Sequence, residues 1–190
     1  MKIGLFFGSF NPVHVGHMII ANYMLQYSDL DKIWMVVSPH NPLKKKESLA
    51  NDYDRLHLVN LAIGDNPKLQ SSNIEFSLPI PSYTIDTLTF LKEKFQNYQF
   101  NLIMGSDNVL TITKWKNYEL LLKNFNIYIY RRPGYDSNLY NEKDNIHYVD
   151  APLLDISSTK IREMIKDGKS IQYLVPDTVY QYLQHSNLYK

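Results

Sequence analysis

The sequence predicts an α/β protein with a doubly wound parallel sheet and helices on both faces. Short apolar runs alternate along the chain with segments of helical periodicity, a pattern typical of successive β–α–β units. The runs at residues 2–7 and 32–38 are almost continuously apolar, as expected for strands that are buried on both faces. No internal repeat, low-complexity tract or linker interrupts the 190 residues. We therefore expect one domain, residues 1–190, in which the last helices, about residues 158–190, pack on the sheet.

The apolar runs and the periodic segments predict the elements in order. Six runs, beginning with "KIGLFF", predict strands at residues 2–7, 32–38, 73–77, 100–105, 126–132 and 146–150. Apolar residues three or four positions apart predict helices at residues 17–27, 52–63, 84–95, 158–166 and 176–184. Pro176 suits the first turn of the last helix. Ligands of such folds bind beyond the carboxyl ends of the strands, so loops that follow strands are the places to search for a site.

Composition and charge exclude several classes of protein. Lys and Arg number 20 against 19 Asp and Glu, so the basic excess typical of nucleic-acid and membrane-surface binders is missing. The chain has no cysteine, which excludes disulfides and thiolate metal sites. Its apolar runs are too short for a signal-peptide core or a membrane span. We expect a cytoplasmic protein that binds no nucleic acid and no membrane, and the sequence leaves open whether it forms a homo-oligomer.

The segment "GSFNPVHVGH", residues 8–17, follows the first strand and precedes the first helix. Gly8 and Gly16 let the backbone come close to a ligand, and the helix start turns its positive end toward the same place. His14 and His17 add side-chain donors there. The chain has neither GxGxxG nor GxxxxGK[ST], which disfavours a nicotinamide-dependent dehydrogenase and a P-loop nucleotidase. The segment therefore predicts a different kind of polyphosphate site.

A second segment, "ISSTKIR", residues 156–162, opens a late helix. Ser157, Ser158 and Thr159 carry hydroxyl groups that suit helix capping and phosphate binding. Arg162 follows within one turn and can reach the same anion with its planar fork of donors. The alternative is an ordinary helix cap with a surface arginine, which the presence of the first segment disfavours.

Together the two segments resemble the GxFxPxHxGH and ISSTxIR signatures of the nucleotidyltransferase superfamily. Three more segments, "PSYTIDTL", "GSDNVLTITKWKNYELL" and "RRPG", are similar to bacterial nicotinate mononucleotide adenylyltransferases, and the resemblance covers essentially the whole chain. It implies a Rossmann-like nucleotidyltransferase fold. It also implies transfer of the adenylyl group of ATP to nicotinate mononucleotide, which gives nicotinate adenine dinucleotide and pyrophosphate in NAD biosynthesis. Mg²⁺ would accompany ATP as co-substrate, held mostly by phosphates and water.

The resemblance also implies three groups of site residues. The catalytic group is His14, His17, Lys44 and Arg162. The ATP-binding group is Gly8, Ser9, Phe10, Gly16, Asp107, Ile156, Ser157, Ser158 and Thr159. The acceptor-binding group is Lys45, Tyr83, Thr84, Trp115, Lys116 and Arg132, with no protein ligand to a metal.

Several of these roles have a structural alternative. Asp107 would accept hydrogen bonds from the ribose of ATP, or it would cap a helix, as "SDN" does well. Trp115 would stack on the pyridine ring of the mononucleotide, or it would be a core aromatic. Thr84 and the backbone of Lys116 would face the nicotinate carboxylate, whereas Asp86 is interpreted as structural.

The chain also departs from the family pattern. Asn11 stands where Asp is usual, which makes an acid-dependent role there doubtful, and Phe7 stands where glycine is common. The segment "SPHNPLKKK" lacks the common PPHK form. It therefore leaves open whether Lys44 or Lys45 contacts phosphate.

Other functions remain open at this point. An adenylyltransferase for nicotinamide mononucleotide or phosphopantetheine would share the phosphate motifs but lack the SYTxDTL and tryptophan segments. A cytidylyltransferase would carry RTEG where this chain reads "PLLD". A class I aminoacyl-tRNA synthetase needs a longer chain with a basic face. A catalytically silent nucleotide-binding regulator is disfavoured by the intact His14, His17 and Arg162.

Overall fold

Five of the six predicted strands and one strand that was not predicted form a parallel sheet in the described residues. In the computed structural model, which describes residues 1–39, 49–131, 145–152 and 154–190, six strands occur in the order β3-β2-β1-β4-β5-β6. Each hydrogen-bonded pair of these strands is parallel. The strands are β1 Lys2–Gly8, β2 Lys32–Val37, β3 Leu69–Ser72, β4 Gln99–Gly105, β5 Ile127–Tyr130 and β6 Ile146–Val149. The predicted doubly wound fold is confirmed.

The strand order reverses next to β1. From β1 the chain builds outward through β2 to β3, then returns to β4 on the other side of β1 and continues to β6. This order leaves a crevice between the carboxyl ends of β1 and β4, which is the ligand-binding position of open parallel sheets. The segment at residues 8–17 therefore begins at the edge where a site is expected.

The helices cover both faces of the sheet. They are α1 Val15–Gln26, α2 Asp52–Ile63, α3 Thr84–Lys94, α4 Ser106–Val109, α5 Tyr118–Asn124, α6 Ser158–Lys166 and α7 Asp177–His185. Two 3-10 helices lie at Ile74–Ser77 and Ile112–Lys114. All five helices predicted from periodicity occur within two residues of their predicted bounds. Pro176 is the residue before α7 rather than a member of its first turn. None of the helices in the described ranges is long and apolar enough to cross a membrane.

The third strand was predicted wrongly. Residues 73–77 alternate apolar and polar side chains as a strand does, but they include the 3-10 helix Ile74–Ser77. The strand lies just before it, at Leu69–Ser72. β3 is an edge strand that pairs only with β2. Its "LQSS" sequence places a single apolar residue, Leu69, in the core, so the strand gave almost no hydrophobic signal.

The sheet separates two hydrophobic cores, and successive residues of the central strands contribute to them in turn. Phe6 and Met35 face a cluster that receives buried side chains from α1, α2, α6 and α7. Leu5 and Val36 face the other cluster, which α3 and α5 cover. The segment after residue 158 contributes Ile161 and other apolar residues to the first of these clusters. α6 is thereby held on the same face as α1, whose amino end points to the site.

Candidate active site

The loop that follows β1 has a tight shape at its first glycine. The ring of Phe10 turns back so that a Cβ on Gly8 would lie only 2.8 Å from it. Phe10 is 1% exposed and has a left-handed backbone, with φ of 44°. A side chain at Gly8 would therefore collide inside the protein. The ring of Phe10 belongs to the core, so any contact of Phe10 with ATP would use its backbone.

His14 and His17 lie together at the start of α1. Their rings stack with 3.7 Å between centroids, and His14 is the N-cap residue of α1, three positions before the predicted helix start at residue 17. A Cβ on Gly16 would lie 3.1 Å from the His14 ring, so this glycine leaves room for the stack. The backbone N–H of Val15 donates to the carbonyl of Leu174 at 3.0 Å, so this donor of the helix start already has a protein partner.

One hydrogen bond fixes the tautomer of His17. Its Nδ1 accepts from the backbone N–H of His14 at 3.2 Å. A neutral imidazole that accepts at Nδ1 carries its proton on Nε2. His17 therefore presents an Nε2–H donor beside the positive end of α1, which is the arrangement that an anionic ligand requires.

The two predicted phosphate segments meet in the structure. Arg162 Nη1 donates to the carbonyl of Asn11 at 2.8 Å, and Ser158 Oγ donates to the carbonyl of Pro12 at 2.9 Å. Segments almost 150 residues apart in the chain thus share hydrogen bonds at the carboxyl edge of the sheet. Arg162 is held by these contacts rather than extended from the surface of α6, which argues against the surface-arginine alternative.

The three hydroxyl groups at the start of α6 have partners within the protein. Ser157 caps the helix, accepting from the backbone N–H of Lys160 at 3.2 Å, and Thr159 Oγ1 accepts from Arg162 Nη2 at 3.4 Å. The Ser158 proton is used on Pro12. Ile156 packs on the first core cluster. The capping role predicted for Ser157 is confirmed. A phosphate bound here would contact hydroxyl groups that already form hydrogen bonds within the protein.

Asn11 has a clear structural use for its side chain. It is 2% exposed, and its Oδ1 accepts from the backbone N–H of Ala50 at 3.1 Å. A carboxylate oxygen of Asp could accept the same bond. The departure from the usual Asp therefore preserves this contact of the side-chain oxygen.

Asp107 follows the strand on the other side of the crevice. It is the second residue of α4, and the N-cap of that helix is Gly105. The N-cap alternative for Asp107 is therefore wrong. Because β4 pairs with β1, this carboxylate and the histidine loop leave neighbouring strands at the same edge of the sheet.

Three of the predicted acceptor residues, Tyr83, Thr84 and Lys116, lie in or beside the ion pair of Lys116 with Asp86. Lys116 Nζ lies 2.8 Å from Asp86 Oδ2 and 4.8 Å from the centroid of the Tyr83 ring. Thr84 begins α3, directly after Tyr83. The ion pair is exposed, so its contribution to stability is small, but it joins the start of α3 to the segment that carries the tryptophan. The structural interpretation of Asp86 agrees with this pairing.

Trp115 combines features of both of its predicted roles. It is half-buried and packs on the second core cluster, as a core aromatic does. Its Nε1 is nevertheless buried with no hydrogen-bond partner among the described residues. A buried N–H without a partner is costly, and an oxygen of a bound ligand could accept from it. Lys44, Lys45 and Arg132 lie outside the described residues.

Sequence reasoning missed two buried charged residues that border the site. Arg55 is fully buried on α2 and Glu75 is 2% exposed. Arg55 does lie three and four positions before the core residues Leu58 and Val59, so its place on the buried face was visible in the sequence. Glu75 lies between two apolar residues and was assigned to a strand.

Glu75 has a perturbed acidity. Burial raises the pKa of its carboxyl above the ordinary value of 4.5, and hydrogen bonding from the side chains of Ser38, Thr87 and Ser82 opposes the rise. Thr87 Oγ1 donates to Glu75 Oε1 at 2.8 Å. The carboxyl thus joins the end of β2 to the segment "PSYT" and α3, where the acceptor residues begin.

The raised pKa of Glu75 predicts how stability changes with pH. The folded protein holds the Glu75 proton more tightly than the unfolded chain does. The resulting stabilisation is complete below the ordinary pKa and is lost as the pH rises through the folded pKa. We expect the free energy of unfolding of the wild type, minus that of Glu75→Gln, to fall across this range. Urea unfolding at several pH values measures the difference. Glu93→Gln, on the exposed side of α3, is the control, and a difference that stays constant with pH would contradict the buried-carboxyl assignment.

Comparison with known proteins agrees with this arrangement. Residues 5–164 match the family model described as cytidylyltransferase-like. The chain is 57% identical, over the full length of both chains, to a Flavobacterium psychrophilum protein named "Probable nicotinate-nucleotide adenylyltransferase". A Bacteroides fragilis protein of the same name is 43% identical, and the alignment covers 95% of this chain and 90% of the relative.

The fold is also similar to a solved structure. A Plasmodium falciparum nicotinic acid mononucleotide adenylyltransferase, complexed with NaAD, superposes with a TM-score of 0.81 over 99% of this chain and 97% of its own. The two sequences are 23% identical, so this likeness concerns the fold. The sequence relatives go further, because their identity is high and their coverage nearly complete. The chain therefore belongs to the cytidylyltransferase-like family and, within it, to the nicotinate-nucleotide adenylyltransferases.

Proposed function

We propose that the chain transfers the adenylyl group of ATP to nicotinate mononucleotide, forming nicotinate adenine dinucleotide and pyrophosphate. The observation that carries this proposal is the junction of the two phosphate segments, in which Arg162 and Ser158 bond to the carbonyls of Asn11 and Pro12. That junction brings an arginine to the loop that carries the histidine pair. It supports an anion site with donors on two sides, as triphosphate binding requires.

In this proposal the cationic and hydrogen-bond-donating residues of the ATP-binding half stabilise negative charge on the phosphates. His14, His17, Arg162 and Lys44 stabilise the transferring phosphoryl group and the leaving pyrophosphate. Asp107 accepts from the ribose. The remaining ATP-binding residues shape the loop and the helix starts that face the phosphates. They are Gly8, Ser9, Phe10, Gly16, Ile156, Ser157, Ser158 and Thr159.

The chemistry needs alignment more than acid–base catalysis. The phosphate of the mononucleotide is already an anion, and one of its oxygens attacks the α-phosphorus of ATP in line while pyrophosphate leaves. The protein contributes position and preorganised donors. The described residues hold no cluster of three or more side chains suited to a metal ion. In this proposal Mg²⁺ enters as MgATP, with the phosphates and water as its ligands.

The acceptor half of the site lies beside the Lys116–Asp86 pair. We assign the pyridine ring to Trp115 and the carboxylate to the start of α3 at Thr84 and to the backbone of Lys116. Tyr83 would complete this pocket, and Lys45 and Arg132 would meet the acceptor phosphate. The buried N–H of Trp115 supports a polar ligand next to its ring.

Trp115 variants test the acceptor assignment. Stacking of a base on an aromatic side chain is worth about 1–3 kcal/mol, so Trp115→Ala should weaken mononucleotide binding and leave the Kd of ATP nearly unchanged. Trp115→Phe keeps an aromatic ring and removes the N–H. Its Kd for the mononucleotide should lie between those of the wild type and Trp115→Ala. Calorimetric titration of each substrate gives the values. Because Trp115 also packs in the core, the melting temperature is measured with them. A lower Tm with an unchanged mononucleotide Kd would assign Trp115 to the core alone.

The proposed reaction is tested by pyrophosphate release. The protein is incubated with MgATP and each member of a panel of phosphorylated acceptors, namely nicotinate mononucleotide, nicotinamide mononucleotide and phosphopantetheine. The dinucleotide product is identified by mass. We expect turnover to be fastest with nicotinate mononucleotide. Binding of ATP with no product from any acceptor would indicate the nucleotide-binding regulator instead.

A further inference from the structure

Arg55 has no exposed surface, although it carries a charge. Its guanidinium contacts five acceptors: Nε donates to Ala50 O at 3.1 Å, Nη1 to Ser9 O at 2.5 Å and Ser38 O at 2.9 Å, and Nη2 to Pro39 O at 3.5 Å and Asp52 Oδ1 at 2.5 Å. A guanidinium has five N–H donors and no acceptor. The whole donor set of Arg55 is therefore used within the protein, and none of it is available to a substrate.

The acceptors of Arg55 are mainly backbone. Only one is a carboxylate, that of Asp52, whose side chain is 39% exposed. The other four are carbonyls from three separate segments, which are the loop after β1, the end of β2 and the residue before the cap of α2. A buried guanidinium is costly unless every donor is satisfied. An arginine in this place thus holds three backbone segments at fixed distances from one another.

One of those segments is held from both sides. Arg55 bonds to the carbonyl of Ser9, and Arg162 bonds to the carbonyl of Asn11. The residue between them, Phe10, has a left-handed backbone with φ of 44°. Residues with a side chain seldom adopt this conformation, and they keep it only where the surroundings enforce it. The two arginines therefore fix the residues on either side of a strained position.

We propose that Arg55 is a positioning residue for adenylyl transfer, because it holds the loop of residues 9–11 in the conformation in which that loop meets Arg162 and the ATP phosphates. The inference rests on the proposed function of the site. Arg55 does not touch ATP. It acts through the carbonyl of Ser9 and through Ala50, whose N–H in turn donates to the side chain of Asn11.

The test variant is Arg55→Lys. An ammonium group keeps the charge but cannot span carbonyls that a planar fork reaches from three nitrogens. Misplacement of the loop should lower kcat/KM for ATP about tenfold and weaken binding of a non-hydrolysable ATP analogue in proportion. The Kd of nicotinate mononucleotide should stay near the wild-type value. The control is Tyr128→Phe, which removes a side-chain hydrogen bond to Asp29 at the opposite edge of the sheet.

The outcomes separate positioning from stability. A merely structural role would lower the Tm of Arg55→Lys and leave analogue binding and kcat/KM for ATP unchanged, which would overturn the proposal. If Arg55→Lys does not fold, Asp52→Ala decides, because it removes one acceptor of the fork at a partly exposed position. It should change the same quantities in the same direction, and unchanged values would overturn the proposal. The analogue needs no acceptor, so Arg55 is tested even if the wild type makes no dinucleotide and the proposed function fails.

Discussion

Replacing His17 with alanine should lower kcat by about 10²- to 10³-fold, which is the usual effect of losing one preorganised transition-state donor. The bond from the His14 N–H to His17 Nδ1 leaves the proton of the neutral ring on Nε2. That N–H stands at the positive end of α1, where, in the proposed reaction, negative charge would develop on the transferring group and on pyrophosphate. Steady-state assays with saturating MgATP and mononucleotide give kcat directly.

A second His17 variant separates catalysis from helix capping. In His17→Asn the side-chain oxygen occupies the place of Nδ1 and can still accept from the His14 N–H, whereas nothing replaces Nε2. We expect this variant to retain the wild-type Tm and to lose turnover nearly as much as His17→Ala. The matched control is His185→Ala, at the exposed end of α7, which should keep full activity. Near wild-type turnover in folded His17→Asn would remove His17 from the catalytic group.

The sequence predicted the parts of the fold that rest on apolar patterns. Leu5 and Phe6, on adjacent positions of β1, are both buried, so the continuous apolar run was enough to predict a central parallel strand. The edge strand β3 needs apolar contact with one neighbour only, and its "LQSS" carried no such run. The short α4 is a single turn, too short for periodicity to show.

In the site, too, residues that belong to a sequence motif could be predicted and residues outside any motif could not. Motifs predicted His17 and Arg162 as candidate site residues, because glycines, histidines and an arginine in that spacing are unusual in an ordinary turn. Arg55 belongs to no motif, and its role comes from carbonyls contributed by three segments that are brought together only by the tertiary fold. Glu75 was missed for the same reason, since Thr87, its partner, lies on another helix.

The acceptor pocket should discriminate strongly between acid and amide. We expect kcat/KM for nicotinate mononucleotide to exceed that for nicotinamide mononucleotide by about 10²-fold or more, because a site built on buried polar pairing rejects a mismatched group. The proposed partners, near Thr84 and at the backbone N–H of Lys116, are donors, which suit a carboxylate. The amide would turn an NH₂ toward at least one of them and leave a buried group unpaired.

Two acidic side chains lie close enough in sequence to accept from that NH₂, and both have other contacts. Asp86 pairs with Lys116 at 2.8 Å, and Glu119 Oε1 accepts from the hydroxyl of Tyr118 at 3.4 Å. Lys116→Met releases the Asp86 carboxylate and should therefore reduce the preference for the acid. Lys114→Met removes a neighbouring lysine without touching Asp86 and should leave the preference unchanged.

The test measures rates with both mononucleotides at fixed MgATP for the wild type and the two lysine variants. It decides whether the pairing of Asp86 contributes to the preference for the acid. If the pairing of Asp86 with Lys116 contributes to the preference, the ratio of the two kcat/KM values falls in Lys116→Met and not in Lys114→Met. Equal values for acid and amide in the wild type would refute an acid-specific pocket and leave adenylyl transfer intact, because the proposed phosphate-binding residues are separate from those proposed for the pyridine ring. A large ratio that both lysine variants preserve would place the discrimination in the backbone donors at Thr84 and Lys116, where no side-chain substitution can remove it.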